Sequence, residues 1–165
     1  MADTISSPMQ PLPSAVQPSP VQPTAVLFCC TQNALRSPMA AAMLKQLLGH
    51  RIFVDSVGVR AGELDGFAVA VMDEIGIDIA KHKPKTFDDL EDSSFDLIVS
   101  LSPEAQHKAV EMTRTMACDV EFWNTFDPSI VEGSREQRMD AYRDVRDGLM
   151  QRIRERFPLQ GAPKI

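Results

Sequence analysis

Cysteine is scarce in this chain: Cys29, Cys30 and Cys118 are the only three in 165 residues. Cys29 and Cys30 are neighbours, which would make a strained pair at best. An odd, sparse count excludes a disulfide scaffold and fits a reducing compartment, so a cytoplasmic location is expected. No stretch approaches the roughly 18 apolar residues of a membrane span. The N-terminus shows neither the basic region nor the continuous apolar segment of a secretory signal, and no membrane partner is expected. An excess of positive charge is also missing: 17 Lys and Arg face 23 Asp and Glu, for a net charge of −6. Sequence-independent nucleic-acid binding rests on basic side chains neutralising phosphates, so no nucleic-acid partner is expected either.

What is present is ordinary for a globular domain, with 44% hydrophobic and 24% charged residues. Such a chain can bury a core without disulfides or a structural metal. Residues 1–24 stand apart: they hold six of the twelve prolines, one charge and no aromatic residue. That composition cannot bury enough apolar surface to offset its ordering entropy, so a disordered or polyproline-like tail is expected there. The domain is expected over residues 25–158, followed by a short tail over 159–165.

Ala25 to Cys30 is a continuous apolar run, the pattern of a strand buried on both faces. Ser37-Pro38 reads as a helix cap with proline at the first helical position, and Met39 to Leu48 follows at helical spacing up to Gly49. Further strands are expected over Arg51–Val57, Phe95–Leu101 and Asp119–Trp123, with helices over Gly66–Ile75 and Pro103–Thr115. A last helix is opened by a Ser134/Gln137 capping box. It carries Met139, Tyr142, Val145, Leu149 and Ile153 on one stripe, and its charged face is expected in solvent. Strands alternating with helices imply an α/β fold: a small, doubly wound, four-stranded parallel sheet flanked by helices on both faces. In such folds ligands bind beyond the carboxyl ends of the strands, where the loop after the first strand lies.

That loop is Cys30-Thr31-Gln32-Asn33-Ala34-Leu35-Arg36-Ser37, with five residues between Cys30 and Arg36. A turn from a buried strand directly into a helix aims successive backbone N–H groups at one point, and the helix dipole favours an anion there. Arg36 can add a bidentate clamp on phosphate oxygens. A positive field of this kind favours thiolate over thiol. A thiolate at the base of a cradle for a tetrahedral anion can attack phosphorus in line.

Val26-Leu27-Phe28-Cys29-Cys30, then Asn33, then Arg36-Ser37-Pro38-Met39-Ala40 resembles the opening of the low-molecular-weight protein tyrosine phosphatases. Ser56-Val57-Gly58-Val59 resembles that family's Ser-Ala-Gly-Thr, and Gly76-Ile77-Asp78-Ile79 with His82 its Gly-Ile-Asp-Ile-Ser-x-His. Phe95-Asp96-Leu97-Ile98 and Asp127-Pro128 match a core strand and a late Asp-Pro pair. The resemblance covers about Ala25 to Phe157. It implies a phosphomonoester hydrolase that forms a cysteinyl-phosphate, needs no metal or cofactor, and acts on a phosphorylated protein or a small aryl phosphate. Cys30 would be the nucleophile, Arg36 the transition-state clamp and Asp127 the general acid. Backbone N–H groups of Thr31, Gln32, Asn33, Ala34, Leu35 and Arg36 would bind phosphate. Asn33 would brace the loop, the Ser37 hydroxyl would hydrogen-bond the thiolate as well as or instead of capping the helix, and His82 would orient Asn33.

The departures are specific. The family's loop glycine is Gln32, which would be strained if its φ had to be positive. Its second loop cysteine is Leu35, which removes a disulfide guard for the nucleophile. Its Glu after Met-Ala is Ala41, Ser129 and Ile130 stand where many members place tyrosines, and Ser102 replaces an expected Asp. The stretch from Trp123 through Tyr142-Arg143-Asp144-Val145-Arg146-Asp147 also resembles the thioredoxin-coupled arsenate reductases. Their three-cysteine relay uses two cysteines near the third strand, where this chain has Ser100 and Ser102. Arsenate reduction and non-catalytic phosphate binding are therefore the alternative readings.

Overall fold

The computed structural model describes residues 22–91 and 94–159. The tails expected over residues 1–24 and 159–165 lie largely outside the described residues. Thr24, at the edge of the first, is already tied to the sheet: its N–H and hydroxyl donate to Asp96 Oδ2 at 3.0 and 3.1 Å.

Eight main elements follow in sequence: β1 (Ala25–Cys30), α1 (Arg36–Leu48), β2 (Phe53–Gly58), α2 (Gly66–Asp73), β3 (Leu97–Ser100), α3 (Pro103–Met112), β4 (Asp119–Phe122) and α4 (Arg135–Arg156). Single 3₁₀ turns cover Phe87–Asp89 and Pro128–Ile130. The four strands pair in parallel in the order β2-β1-β3-β4. This is the α/β architecture expected, and several elements run a few residues shorter than the apolar runs that announced them. Phe95, for example, lies outside β3; it is buried and its ring stacks on Phe53 at 5.8 Å.

Alternation along β1 divides the core. Val26, Phe28 and Cys30 face α1, α2 and α4, whereas Leu27 and Cys29 face α3 and Phe87 on the other side. Fully burying each large apolar side chain contributes about 1.5–3 kcal/mol, so β1, flanked on both edges and both faces, is the best-held strand. The order β2-β1-β3 places the switch point between β1 and β3. Their carboxyl ends open the crevice in which the Cys30 loop sits.

The expected stripe of α4, from Met139 to Ile153, is buried. Its charged face departs from expectation. Arg146 is only 9% exposed; it donates to Val71 O and Glu74 Oε1, both at 2.8 Å. Arg143 grips the same Glu74 at 2.8 Å. These two arginines, Arg143 first, hold the Glu74 carboxyl down at about 2, and they clamp the end of α2 to α4. Periodicity marks which residues face outward but not which long side chains fold back.

Candidate active site

The loop from Cys30 to Arg36 turns its carbonyls outward, and each carbonyl from Cys30 to Leu35 is held by a donor. Val59 N–H binds Cys30 O at 3.1 Å, Arg60 N–H binds Thr31 O at 2.8 Å, and Gly62 N–H binds Gln32 O at 2.9 Å. His82 Nε2 reaches Asn33 O at 3.0 Å. Asp65 N–H binds Ala34 O at 3.0 Å, and Met39 N–H binds Leu35 O at 3.1 Å. A peptide whose carbonyl is fixed outward presents its N–H inward, so residues 59–65 act as an outer collar that shapes an anion cradle. Gly58 is needed for the close approach of collar and loop: a Cβ there would lie 2.5 Å from Arg60 O and 2.6 Å from Asn33 N, both backbone atoms.

Asn33 is the interior brace. It is fully buried. Its Nδ2 donates to Ser37 Oγ and Ser56 Oγ, both at 2.9 Å. Its Oδ1 accepts from Lys85 N–H at 2.9 Å and meets His82 Nε2 at 3.0 Å. Both groups that His82 Nε2 faces are acceptors, so this nitrogen carries the hydrogen. Burial, the largest influence, lowers the His82 pKa. The left-handed backbone of the loop falls at Asn33, with φ 55°, and not at Gln32. Asn tolerates that conformation, so the side chain at Gln32 carries no such strain.

Cys30 Sγ sits at the base of the cradle, 2.9 Å from Ser37 Oγ and 3.3 Å from Asn33 N–H. A thiolate only accepts, so in that state Ser37 donates to it. Ser37 does not cap α1. The helix begins one residue earlier, at Arg36, after Leu35, with no side-chain cap. The uncapped first turn keeps its N–H groups for a ligand. Leu35 is buried in the core as an apolar filler, and Ser102 caps α3 while accepting Thr31 Oγ1–H at 3.0 Å.

A cleft of about 190 Å³ is lined by Cys30, Thr31, Gln32, Ala34, Leu35 and Arg36 on the loop side, and by Glu63, Asp65, Asp127 and Ser129 facing it. The geometry thus brings Cys30, Arg36 and Asp127 together, with Ser37 and Asn33 behind them and His82 behind Asn33. Asp127 Oδ1 is turned back to Ser129, accepting its N–H at 3.0 Å and its hydroxyl at 2.7 Å. That leaves Oδ2 without a hydrogen bond among the described residues. Arg36 Nη1 donates to Thr125 O at 2.9 Å, which ties the loop bearing Asp127 to the cradle. A larger, mostly apolar hollow of about 330 Å³ lies behind that loop against α4, but no nucleophile or loop amide lines it.

Glu63 and Asp65 are lining residues that sequence reasoning missed. Asp65 also caps α2 through Phe67 N–H and Ala68 N–H, and it accepts the Tyr142 hydroxyl at 2.6 Å. An Asp followed by Gly before an apolar run was the available signal. Neither remaining cysteine joins Cys30. Cys29 points to the opposite face of the sheet, its thiol pushed well up by burial and then by the charge of Cys30. Cys118 packs on that same far side. Among the described residues no group of three or more His, Cys, Asp or Glu side chains could hold a metal ion. No helix among them is long and apolar enough to cross a membrane.

Comparison with known proteins agrees with this architecture. An arsenate reductase of Bacillus subtilis strain 168 is 35% identical over 130 residues, covering 79% of this chain and 92% of that one. The solved structure of an arsenate reductase in its oxidized state superposes with a TM-score of 0.68 at 25% identity, over 81% of this chain and 96% of the other. The low molecular weight protein tyrosine phosphatase from T. tengcongensis does so with a TM-score of 0.64 at 26% identity, over 79% and 95%. The family model for low molecular weight phosphotyrosine protein phosphatase matches residues 25–157, and with the cradle, the parallel sheet and these relatives in agreement, the chain belongs to that family of enzymes.

Proposed function

We propose that the protein is a phosphomonoesterase of the protein tyrosine phosphatase type, working through a cysteinyl-phosphate on Cys30. The observation that carries this reading is a single cleft holding Cys30, outward-fixed carbonyls, Arg36 and Asp127, with no second cysteine on its side of the sheet. In the first step the Cys30 thiolate attacks phosphorus, an S–P bond forms and the P–O bond to the leaving group breaks. Asp127 Oδ2 delivers its proton to the departing oxygen. The loop N–H groups and Arg36 stabilise the equatorial oxygens, with Arg36 exchanging Thr125 O for phosphate. In the second step the Asp127 carboxylate takes a proton from water. The hydroxide attacks phosphorus, the S–P bond breaks, and phosphate and the Cys30 thiolate are released.

The substrate is a phosphorylated protein, with phosphotyrosine as the group cleaved, or a small aryl phosphate. Ile130, three residues after Asp127 and 67% exposed, offers apolar surface to an aromatic leaving group in place of a tyrosine. A reducing compartment, the cytoplasm, keeps Cys30 a thiol. No metal has a part in these steps, so a chelator should leave turnover intact while vanadate inhibits it.

Relatives named arsenate reductase favour a second reading, because arsenate is also a tetrahedral anion that fits the cradle. An internal relay has no cysteines to run on, with Ser100 and Ser102 beside the site and Cys29 and Cys118 across the sheet. Two-electron reduction would need an external thiol to attack the sulfur of the Cys30–arsenic adduct, releasing arsenite and leaving a mixed disulfide. One assay series separates the readings: aryl phosphate hydrolysis against thiol- or thioredoxin-dependent arsenate reduction. Hydrolysis alone supports the phosphatase, arsenate turnover alone the reductase, and neither a phosphate-binding module.

A further inference from the structure

Two guanidinium groups at the start of α4 have no carboxylate partner among the described residues. Arg135 and Arg138, on the first turns of α4, both lie over the ring of Phe67, their Cζ atoms 5.3 and 4.6 Å from its centroid. Phe67 itself is fixed: it follows Asp65, which lines the cleft, and its other neighbour is Tyr142 at 5.2 Å between centroids. The Tyr142 hydroxyl donates to Asp65 Oδ2 at 2.6 Å, so the ring pair that carries the arginines is joined directly to a residue lining the cleft.

Three of the other five arginines of α4 are held by carboxylates, and a fourth, Arg152, lies over the Trp123 ring toward the far end of the helix. Arg143 binds Glu74, Glu136 and Asp140, Arg146 binds Glu74 and Asp147, and Arg156 binds Glu121. Neither Arg135 nor Arg138 makes a side-chain hydrogen bond or ion pair with the described residues, and Arg138 Nε is shut off from solvent without an acceptor. Stacking on an aromatic face holds a guanidinium in place while its in-plane N–H groups stay directed outward, suited to oxygen acceptors.

We infer that Arg135 and Arg138, mounted on Phe67, form a specificity subsite that takes an acidic side chain of a phosphorylated peptide close in sequence to the residue being dephosphorylated. This rests on the phosphatase reading above. The subsite offsets the acidic lip that Glu63 and Asp65 present and selects substrates by their flank, in a protein whose net charge of −6 would otherwise repel them. Arg135 is exposed and Arg138 half-buried, so the gain is modest, falls with salt and enters through KM.

The test uses the full chain and a set of phosphotyrosyl peptides that differ only in a Glu or Gln placed at successive flanking positions, with p-nitrophenyl phosphate as the flankless control. The expected result is about fivefold higher kcat/KM for Glu at one or two positions, carried by KM and lost at high salt. The Arg135→Gln/Arg138→Gln double variant should remove that preference and leave p-nitrophenyl phosphate turnover unchanged. Arg135→Lys/Arg138→Lys should restore part of it, and thermal melts of both variants separate a folding defect from a lost subsite. Hydrolysis of every peptide with no Glu preference, or a preference that survives in the folded Gln variant, overturns the subsite alone. Failure to hydrolyse any phosphate ester overturns the phosphatase reading and the subsite with it.

Discussion

The two loops that meet in the cleft are built in opposite ways. The cradle, Cys30 to Arg36, is largely buried, its carbonyls are bonded outward, and Asn33 saturates its interior. The loop carrying Asp127 is held at its root by Trp123 N–H to Ser100 O at 2.8 Å and Thr125 N–H to Leu101 O at 3.0 Å. Beyond that it has a single 3₁₀ turn, with Phe126 and Ile130 turned to solvent. The difference teaches a division of labour. A site that must bind a tetrahedral anion needs donors already in place, because reorganising them during reaction costs rate. A group that must meet leaving oxygens of different substrates needs less constraint, and low local packing supplies it.

The sharpest way to break this comparison is to remove one chemical group from each loop. Cys30→Ser should abolish aryl phosphate hydrolysis, a loss on the order of 10⁴-fold or more, since no other thiol lines the cleft. Asp127→Ala should cost on the order of 10²–10⁴-fold with a poor leaving group and much less with p-nitrophenyl phosphate. Equal losses for both substrates would argue against a general acid on the exposed loop.

Next in size is a change to the frame around the cradle. Gly58→Ala places a methyl group against backbone of both collar and loop, so one must move. A displacement near 1 Å can cost about 10²-fold in kcat/KM, with vanadate affinity falling in parallel. Unchanged vanadate binding would show that the collar does not shape the cradle.

A smaller effect belongs to His82. Burial lowers its pKa in the fold, whereas the unfolded chain keeps a value near about 6.5. Below that value the unfolded state takes up a proton that the native state refuses. The stabilisation is therefore complete above about pH 6.5 and is lost as the pH falls through the lowered native value. Melts across that range should show the slope in the parent and a flatter line in His82→Gln. The smallest effect is expected from Tyr142→Phe, which removes the 2.6 Å bond to Asp65. A loss of about 1 kcal/mol, read as a lower Tm, should leave the Asp127 leaving-group dependence untouched.

Much of this molecule was legible before folding. The apolar run ending in Cys30, the helix stripe from Met139 to Ile153 and the strand–helix alternation are patterns of side chains, and side chains are what a sequence states. The collar was not legible, because Val59, Arg60, Gly62 and Asp65 act through backbone N–H groups that almost any residue supplies. Ser before Pro announces a helix cap at Ser37, whereas the family resemblance implies a hydroxyl turned to the Cys30 sulfur as well as or instead of capping. Here the anion site leaves the cap position to Leu35 and turns the hydroxyl to Cys30. The family counterpart of Gln32 points to strain at that position, but the left-handed turn sits one residue on, at Asn33, whose side chain tolerates it.

The most direct measurement is a search for the covalent intermediate. Asp127→Ala, mixed with p-nitrophenyl phosphate and quenched in acid during turnover, should carry one phosphoryl group, and peptide mapping should place it on Cys30. Asp127 serves the second step as well as the first, so its removal should make the intermediate accumulate beyond the parent level. A phosphoryl group on another residue, or hydrolysis with none on the protein, would contradict the account.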